Sequence, residues 1–123
     1  MPNPDQSAIP PDPAISLALD VMWARHRSQI LERVSVLESA ALAVTAESLT
    51  AADREAAHAA AHKLAGTLGM FNLMCGTDLA RELELVYSQQ SFPPATSGKH
   101  LASLAAELRT MIENRGPTAP PLL

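Results

Sequence analysis

Residues 50–72 read TAADREAAHAAAHKLAGTLGMFN, and this stretch decides the fold class because it carries the signals for both ends of a helix. Thr50 and Asp53 have the spacing of a capping box, in which the hydroxyl accepts a backbone N–H bond and the carboxylate favours the positive end of the helix. Asn72 tolerates the left-handed conformation that ends many helices. Alanine and leucine occupy the inward positions between these ends, so we expect a closely packed helix that stops near Phe71.

All ten prolines lie in three places, at the two ends of the chain and at Pro93 and Pro94, so the intervals between them permit three further helices. Apolar residues recur at three- and four-residue steps from Ile15 to Val44, where the pattern leaves open a break near Ser28. A third helix should start near Met74 and end before Pro93, and a fourth should span residues 97–114. Short links favour antiparallel neighbours. The sequence therefore predicts an all-α fold, an antiparallel up-and-down four-helix bundle with an additional N-terminal helical segment over one end. The bundle should occupy residues 14–115, between flexible proline-rich tails at 1–13 and 116–123.

Composition limits the classes of function. The 123 residues suit one domain, and the net charge of −4 argues against a nucleic-acid partner. The chain lacks a run of about 18 apolar residues, so we expect no membrane span, and its first residues do not resemble a secretory signal. These features favour a cytoplasmic protein. Cys75 is the only cysteine, which excludes an internal disulfide and any multi-cysteine metal site.

One face of the residue 50–72 helix carries His58, His62, Gly66 and Gly69 at helical spacing. Each glycine costs about 1 kcal/mol relative to alanine within a helix, so its presence calls for an explanation. A docking partner or a bulky modification beside His62 would explain both glycines. A notch where two helices pack closely would explain them equally well.

Two segments, AHKLAGTLGMFNL at 61–73 and TDLARELE at 77–84, resemble the histidine-containing phosphotransfer (HPt) family of two-component phosphorelays. In that family an exposed histidine of a helical bundle carries a phosphoryl group to or from the aspartate of a receiver domain. The resemblance implies that His62 is the phosphoacceptor and that Gly66 leaves clearance for the phosphoryl group and the partner. It also implies a partner, the receiver domain of a response regulator or of a hybrid histidine kinase.

The resemblance is incomplete near the histidine. Many family members have lysine three residues after it, where this chain has Ala65 and carries Lys63 next to the histidine instead. Adjacent helical residues point about 100° apart, so we expect Lys63 and Arg81 to share the task of attracting the phosphoryl group. If the next helix runs antiparallel after the turn near Asn72, residues 81–85 of that helix should lie level with His62. The resemblance identifies Glu84 among them as the residue that orients the imidazole.

The expected chemistry needs little from this chain beyond a positioned imidazole. An ordinary imidazole, with a pKa of about 6.5, is mostly neutral near pH 7 and can attack phosphorus. The resemblance implies that the receiver supplies both the aspartate and Mg²⁺, so we expect no cofactor and no metal in this chain. It should act as a phosphocarrier, without turnover or kinase activity of its own, and as a monomer.

Two alternatives compete with phosphotransfer. The spacings His58-x-x-x-His62 and Glu55-x-x-His58 occur in metal-binding bundles, and that interpretation predicts inward-pointing imidazoles. The other alternative is a helical adaptor that binds a receiver or kinase without being phosphorylated. The absence of lysine at Ala65 favours it, whereas the presence of His62, Gly66 and Glu84 argues against it.

Overall fold

The computed structural model describes residues 12–116, and every regular element in this range is helical. Helix α1 spans Pro13–Thr45, α2 spans Ala51–Met70, α3 spans Met74–Tyr87 and α4 spans Gly98–Asn114, with a 3-10 turn at Ala95–Ser97 before α4. The predicted tails lie outside the described residues, apart from residues 12, 13 and 116. None of the helices in the described range is long and apolar enough to cross a membrane.

The helix ends follow local signals in the sequence. The Thr50 hydroxyl accepts from the Asp53 backbone N–H at 3.0 Å, and the Asp53 carboxylate accepts from the Thr50 N–H at 3.3 Å, so the predicted capping box is confirmed. Asn72 has a φ of 63°, which confirms its left-handed conformation at the end of α2. Asp12 caps α1 by accepting from the Ala14 N–H at 2.8 Å, directly before Pro13.

The four helices form a closed bundle. Within residues 12–116, α1 and α3 each contact both α2 and α4, whereas the diagonal pairs do not approach each other. Since residues 71–73 alone connect α2 to α3, these two helices must run antiparallel. The all-α bundle is thus confirmed. The additional N-terminal segment is continuous with the first helix of the bundle, because α1 runs without a break past Ser28 to Thr45.

The core consists of small and branched aliphatic side chains from all four helices. Alanine at several inward positions lets the helices approach closely, and leucine, isoleucine and valine fill the space between them. The side chains that are almost wholly inaccessible include Ile30, Val34, Leu37, Leu64, Leu68, Leu83, Tyr87, Leu101, Leu108 and Ile112. This core holds α2 and α3 in a fixed register, on which the candidate site depends.

Tyr87 places a polar hydroxyl in this largely apolar core. Its side chain is fully buried, and its hydroxyl has no hydrogen-bond partner among the described residues. Burial raises the pKa of Tyr87 to about 12, because the phenolate would be poorly solvated. We expect Tyr87→Phe to raise the free energy of unfolding by about 1 kcal/mol, since it removes an unpaired buried hydroxyl. Urea denaturation measures this change, and a lower stability of the variant would show that the hydroxyl is satisfied.

The N-terminal half of α1 is anchored by an aromatic and ionic cluster. Trp23 packs edge-on against Phe71, with ring centroids 5.1 Å apart and an interplanar angle of 78°, as expected for a core anchor. The Arg115 guanidinium lies 4.7 Å from the Trp23 centroid and 5.5 Å from the Phe71 centroid. Arg115 also pairs with Asp20 at 3.3 Å. The end of α4 therefore ties the start of α1 to the turn after α2.

Two contacts hold α1 against α4. Arg109 donates to both carboxylate oxygens of Glu38, at 2.9 and 2.7 Å, and this bidentate bond lowers the pKa of Glu38. At the start of α4, Gly98 is packed so tightly that an added Cβ would lie 2.9 Å from the Thr45 backbone nitrogen. Glycine is required at position 98 because no larger residue leaves room for the end of α1.

Candidate functional site

The candidate site is built on two facing side chains, His62 of α2 and Glu84 of α3. Nδ1 of His62 lies 2.6 Å from Oε2 of Glu84. The His62 side chain is 71% exposed, whereas that of Glu84 is only 26% exposed. The imidazole thus points outward from the bundle, with the carboxylate beneath it. This is the orientation that phosphotransfer requires, and it differs from the inward orientation that the metal-site interpretation predicted.

The short contact fixes the tautomer of the imidazole. A carboxylate can only accept a hydrogen bond, so Nδ1 of His62 must donate the proton in its bond to Glu84. In a neutral ring the other nitrogen, Nε2, then holds the unshared electron pair. Because the carboxylate is negatively charged, it also stabilises any positive charge that develops on the ring. The pair therefore presents an oriented nucleophilic nitrogen on the protein surface.

Contacts between α2 and α3 on both sides of the pair fix its geometry. On one side the buried Thr77 hydroxyl donates to the Ala65 carbonyl at 3.1 Å. On the other side Arg54 donates to the Tyr87 carbonyl at 2.8 Å and so satisfies the end of α3. Sequence reasoning missed both residues. The signal that could have indicated the Thr77 contact is a threonine within the apolar stripe of α3. No local sequence pattern indicates the Arg54 contact.

The two glycines beside His62 have different surroundings. Gly66 is exposed, and an added Cβ would meet nothing within 4 Å. At Gly69 an added Cβ would lie 3.4 Å from the Thr77 hydroxyl, an ordinary contact distance. A notch between packed helices therefore does not explain Gly66. The space above Gly66 is open.

Comparison with known proteins agrees with this geometry. A protein-family model described as Hpt domain matches residues 21–118, a range that includes the whole His62 and Glu84 site. This chain belongs to the Hpt domain family. Membership confirms the predicted resemblance and the helical bundle, and it supports a phosphotransfer role in two-component signalling.

One curated relative of this Hpt domain is Protein RcaC from Microchaete diplosiphon. The two are 36% identical over 66 residues, which is 54% of this chain and 10% of that protein. The chain therefore spans about a tenth of the length of the relative it matches. No solved structure matches the chain significantly.

The two predicted cations of the Hpt domain lie at the edge of the site. Lys63 and Arg81 are both exposed, and neither forms an ion pair with another residue in the range 12–116. Among the described residues, neither side chain forms a hydrogen bond or an ion pair with His62. Lys63 is about 100° around α2 from His62, and Arg81 precedes Glu84 by one turn on α3. Both remain available to a group bound at the surface.

A third residue of the predicted face, His58, lies next to Glu84. Its Nε2 is 3.8 Å from the same Oε2 atom that His62 contacts, and its side chain is 40% exposed. Between positions 12 and 116, no group of three or more His, Cys, Asp or Glu residues is arranged as a candidate metal site. Glu84 is nevertheless shared by two imidazoles, an arrangement that sequence analysis did not predict.

Proposed function

We propose that this Hpt domain accepts a phosphoryl group on His62 and exchanges it with the aspartate of a receiver domain. The observation that carries the proposal is the His62–Glu84 pair, with Nδ1 bonded at 2.6 Å and the imidazole otherwise exposed. A buried imidazole could not reach a partner. An imidazole without a hydrogen-bond partner would rotate freely and would exchange between its two tautomers. The pair supports an acceptor that is both accessible and oriented.

The transfer itself needs only positioning and charge from this chain. Nε2 of His62 attacks the phosphorus of the receiver's aspartyl phosphate in line with the leaving oxygen. The new P–N bond forms as the P–O bond breaks, and the released electron pair stays on the aspartate carboxylate. Nδ1 keeps its proton, and Glu84 offsets the positive charge that the ring acquires. The receiver's Mg²⁺ would neutralise the phosphoryl oxygens, with Lys63 and Arg81 adding positive potential at the rim.

The surface around His62 supports a receiver-sized partner. Gly66 lies one turn beyond His62 on the exposed face of α2, and the half-exposed Met70 lies one turn further. Met70 and Met22 line a cleft of about 200 Å³ between α1 and α2, together with Arg33. Methionine side chains adapt to different partner surfaces. We assign this face to the receiver because any domain that reaches His62 must also cover Gly66.

Substitutions at Gly66 should separate stability from transfer. We expect Gly66→Ala and Gly66→Leu to raise the free energy of unfolding by about 0.5–1 kcal/mol, because both residues favour helices and the site has open space. Gly66→Leu should nevertheless slow transfer at least about tenfold, since its side chain occupies the partner's approach. Gly116→Leu is the control, because position 116 is equally open. Unchanged transfer by Gly66→Leu would contradict the assigned clearance.

The proposal is tested by offering the chain a panel of phosphorylated receiver domains from its own source. Phosphohistidine is labile in acid and stable in base, so acid and base treatment of the labelled chain identifies the linkage. We expect label of this kind on the chain. An adaptor would instead bind a receiver without becoming labelled, and binding measured on the same panel distinguishes that outcome from a missing partner.

A further inference from the structure

Glu84 lies between two imidazoles of α2. His62 bonds its Oε2 atom at 2.6 Å, and Nε2 of His58, one turn earlier, lies 3.8 Å from that atom. At 3.8 Å a neutral His58 is too far for a hydrogen bond, whereas a protonated one is within the range of an ion pair. Of the basic side chains in the described range, only these two histidines pair with Glu84.

We propose that His58 is a positioning residue whose charge sets how strongly Glu84 supports His62, an inference that rests on the proposed function. When His58 is neutral, the full charge of the Glu84 carboxylate acts on the His62 ring. When His58 is protonated, its charge offsets that carboxylate and also repels the positive charge that the His62 ring acquires during transfer. A neutral His62 ring therefore attacks phosphorus more slowly with His58 charged, although the same charge also disfavours protonation of the His62 ring.

The surroundings of His58 contain few other charged groups. From its own helix, Arg54, Glu55 and His62 lie within about one turn, and from α3 the facing groups are Glu84 and, beyond it, Arg81. Arg54 already donates to the Tyr87 carbonyl. No ion pair in the described range joins His58 to a charged group of α1 or α4. Between about pH 5 and 8 the imidazoles are the groups in this set that change charge in the ordinary case.

The test compares His58→Gln with the wild-type chain across pH, using one phosphorylated receiver. Each transfer rate is divided by the fraction of neutral His62 that the ¹⁵N titration of the same chain gives, and the ratio of the two corrected rates also cancels the pH dependence of the receiver. We expect the corrected ratio of variant to wild type to rise several-fold between about pH 8 and about pH 5.5, because only the wild type has a second imidazole, His58, beside Glu84. A ratio that stays constant with pH would overturn the proposal.

His100→Gln is the matched control. His100 lies 3.6 Å from a carboxylate oxygen of Glu82, so this pair resembles His58 and Glu84 in geometry but not in its relation to His62. Its rate ratio should not change with pH. If instead the rate ratios of both variants rise equally at low pH, the effect comes from the overall charge of the chain, and the proposed role of His58 is overturned.

A second measurement uses the unphosphorylated chain and so does not depend on transfer. The ¹⁵N shifts of the His62 ring report how strongly Nδ1–H is held, and we expect the pH titration of these shifts to differ between wild type and His58→Gln. Identical His62 titrations would contradict the coupling. A chain that accepts no label from any receiver would contradict the proposed function instead, and the ¹⁵N titration would still decide the role of His58.

Discussion

His62→Gln will acquire no label from a phosphorylated receiver that labels the wild-type chain, and it will unfold at nearly the same denaturant concentration. Glutamine has a similar length but no nucleophilic ring nitrogen, so the P–N bond cannot form. Because the His62 side chain is 71% exposed, its replacement changes little packing and should alter the free energy of unfolding by less than about 0.5 kcal/mol.

His100→Gln is the control for this experiment as well, because it removes an exposed imidazole that pairs with Glu82 and not with Glu84. It should be labelled like the wild type. Label that persists on His62→Gln would place the acceptor on another side chain, and circular dichroism of the variant shows directly whether the helices remain.

Glu84→Ala should slow transfer by about 10- to 100-fold, the range seen when an orienting partner of a functional histidine is removed. The variant loses both the bond that fixes the tautomer of His62 and the charge that stabilises the ring during transfer. Rapid-quench measurement of labelled chain gives the rate. Glu84→Gln should fall between Glu84→Ala and the wild type, because an amide oxygen accepts the Nδ1–H bond but carries no charge.

Glu82→Ala provides the matched control on the same helix. Glu82 also lies beside a histidine, His100, but its side chain is 52% exposed and lies away from His62. Its rate should equal that of the wild type, and both variants should lose about 1 kcal/mol of stability or less. Equal rates for Glu84→Ala and the wild type would remove Glu84 from the site.

The site residues on α2 were easier to predict from the sequence than the site residue on α3. His62 and Gly66 stand out in the sequence because they share a helix face, and helical spacing is a local property. Glu84 lies on another helix, and counting across the turn narrowed it only to residues 81–85. The family resemblance was needed to choose among them. The position of His58 beside the same carboxylate was not predicted, because contact between side chains of two helices depends on the relative position of the two helix backbones.

The sequence by itself determined that the fold is helical, where α2 begins and ends, and which apolar positions face the core. Prolines, the capping box at Thr50 and the left-handed Asn72 act through bonds within a few residues, so their effect does not need the rest of the fold. Only the tertiary structure decided the contacts between distant residues. Arg115 folds back onto Trp23 and Asp20, and Gly98 admits the end of α1. Such contacts join residues far apart in the chain and form only when the four helices pack around one core. Local sequence patterns therefore do not predict them.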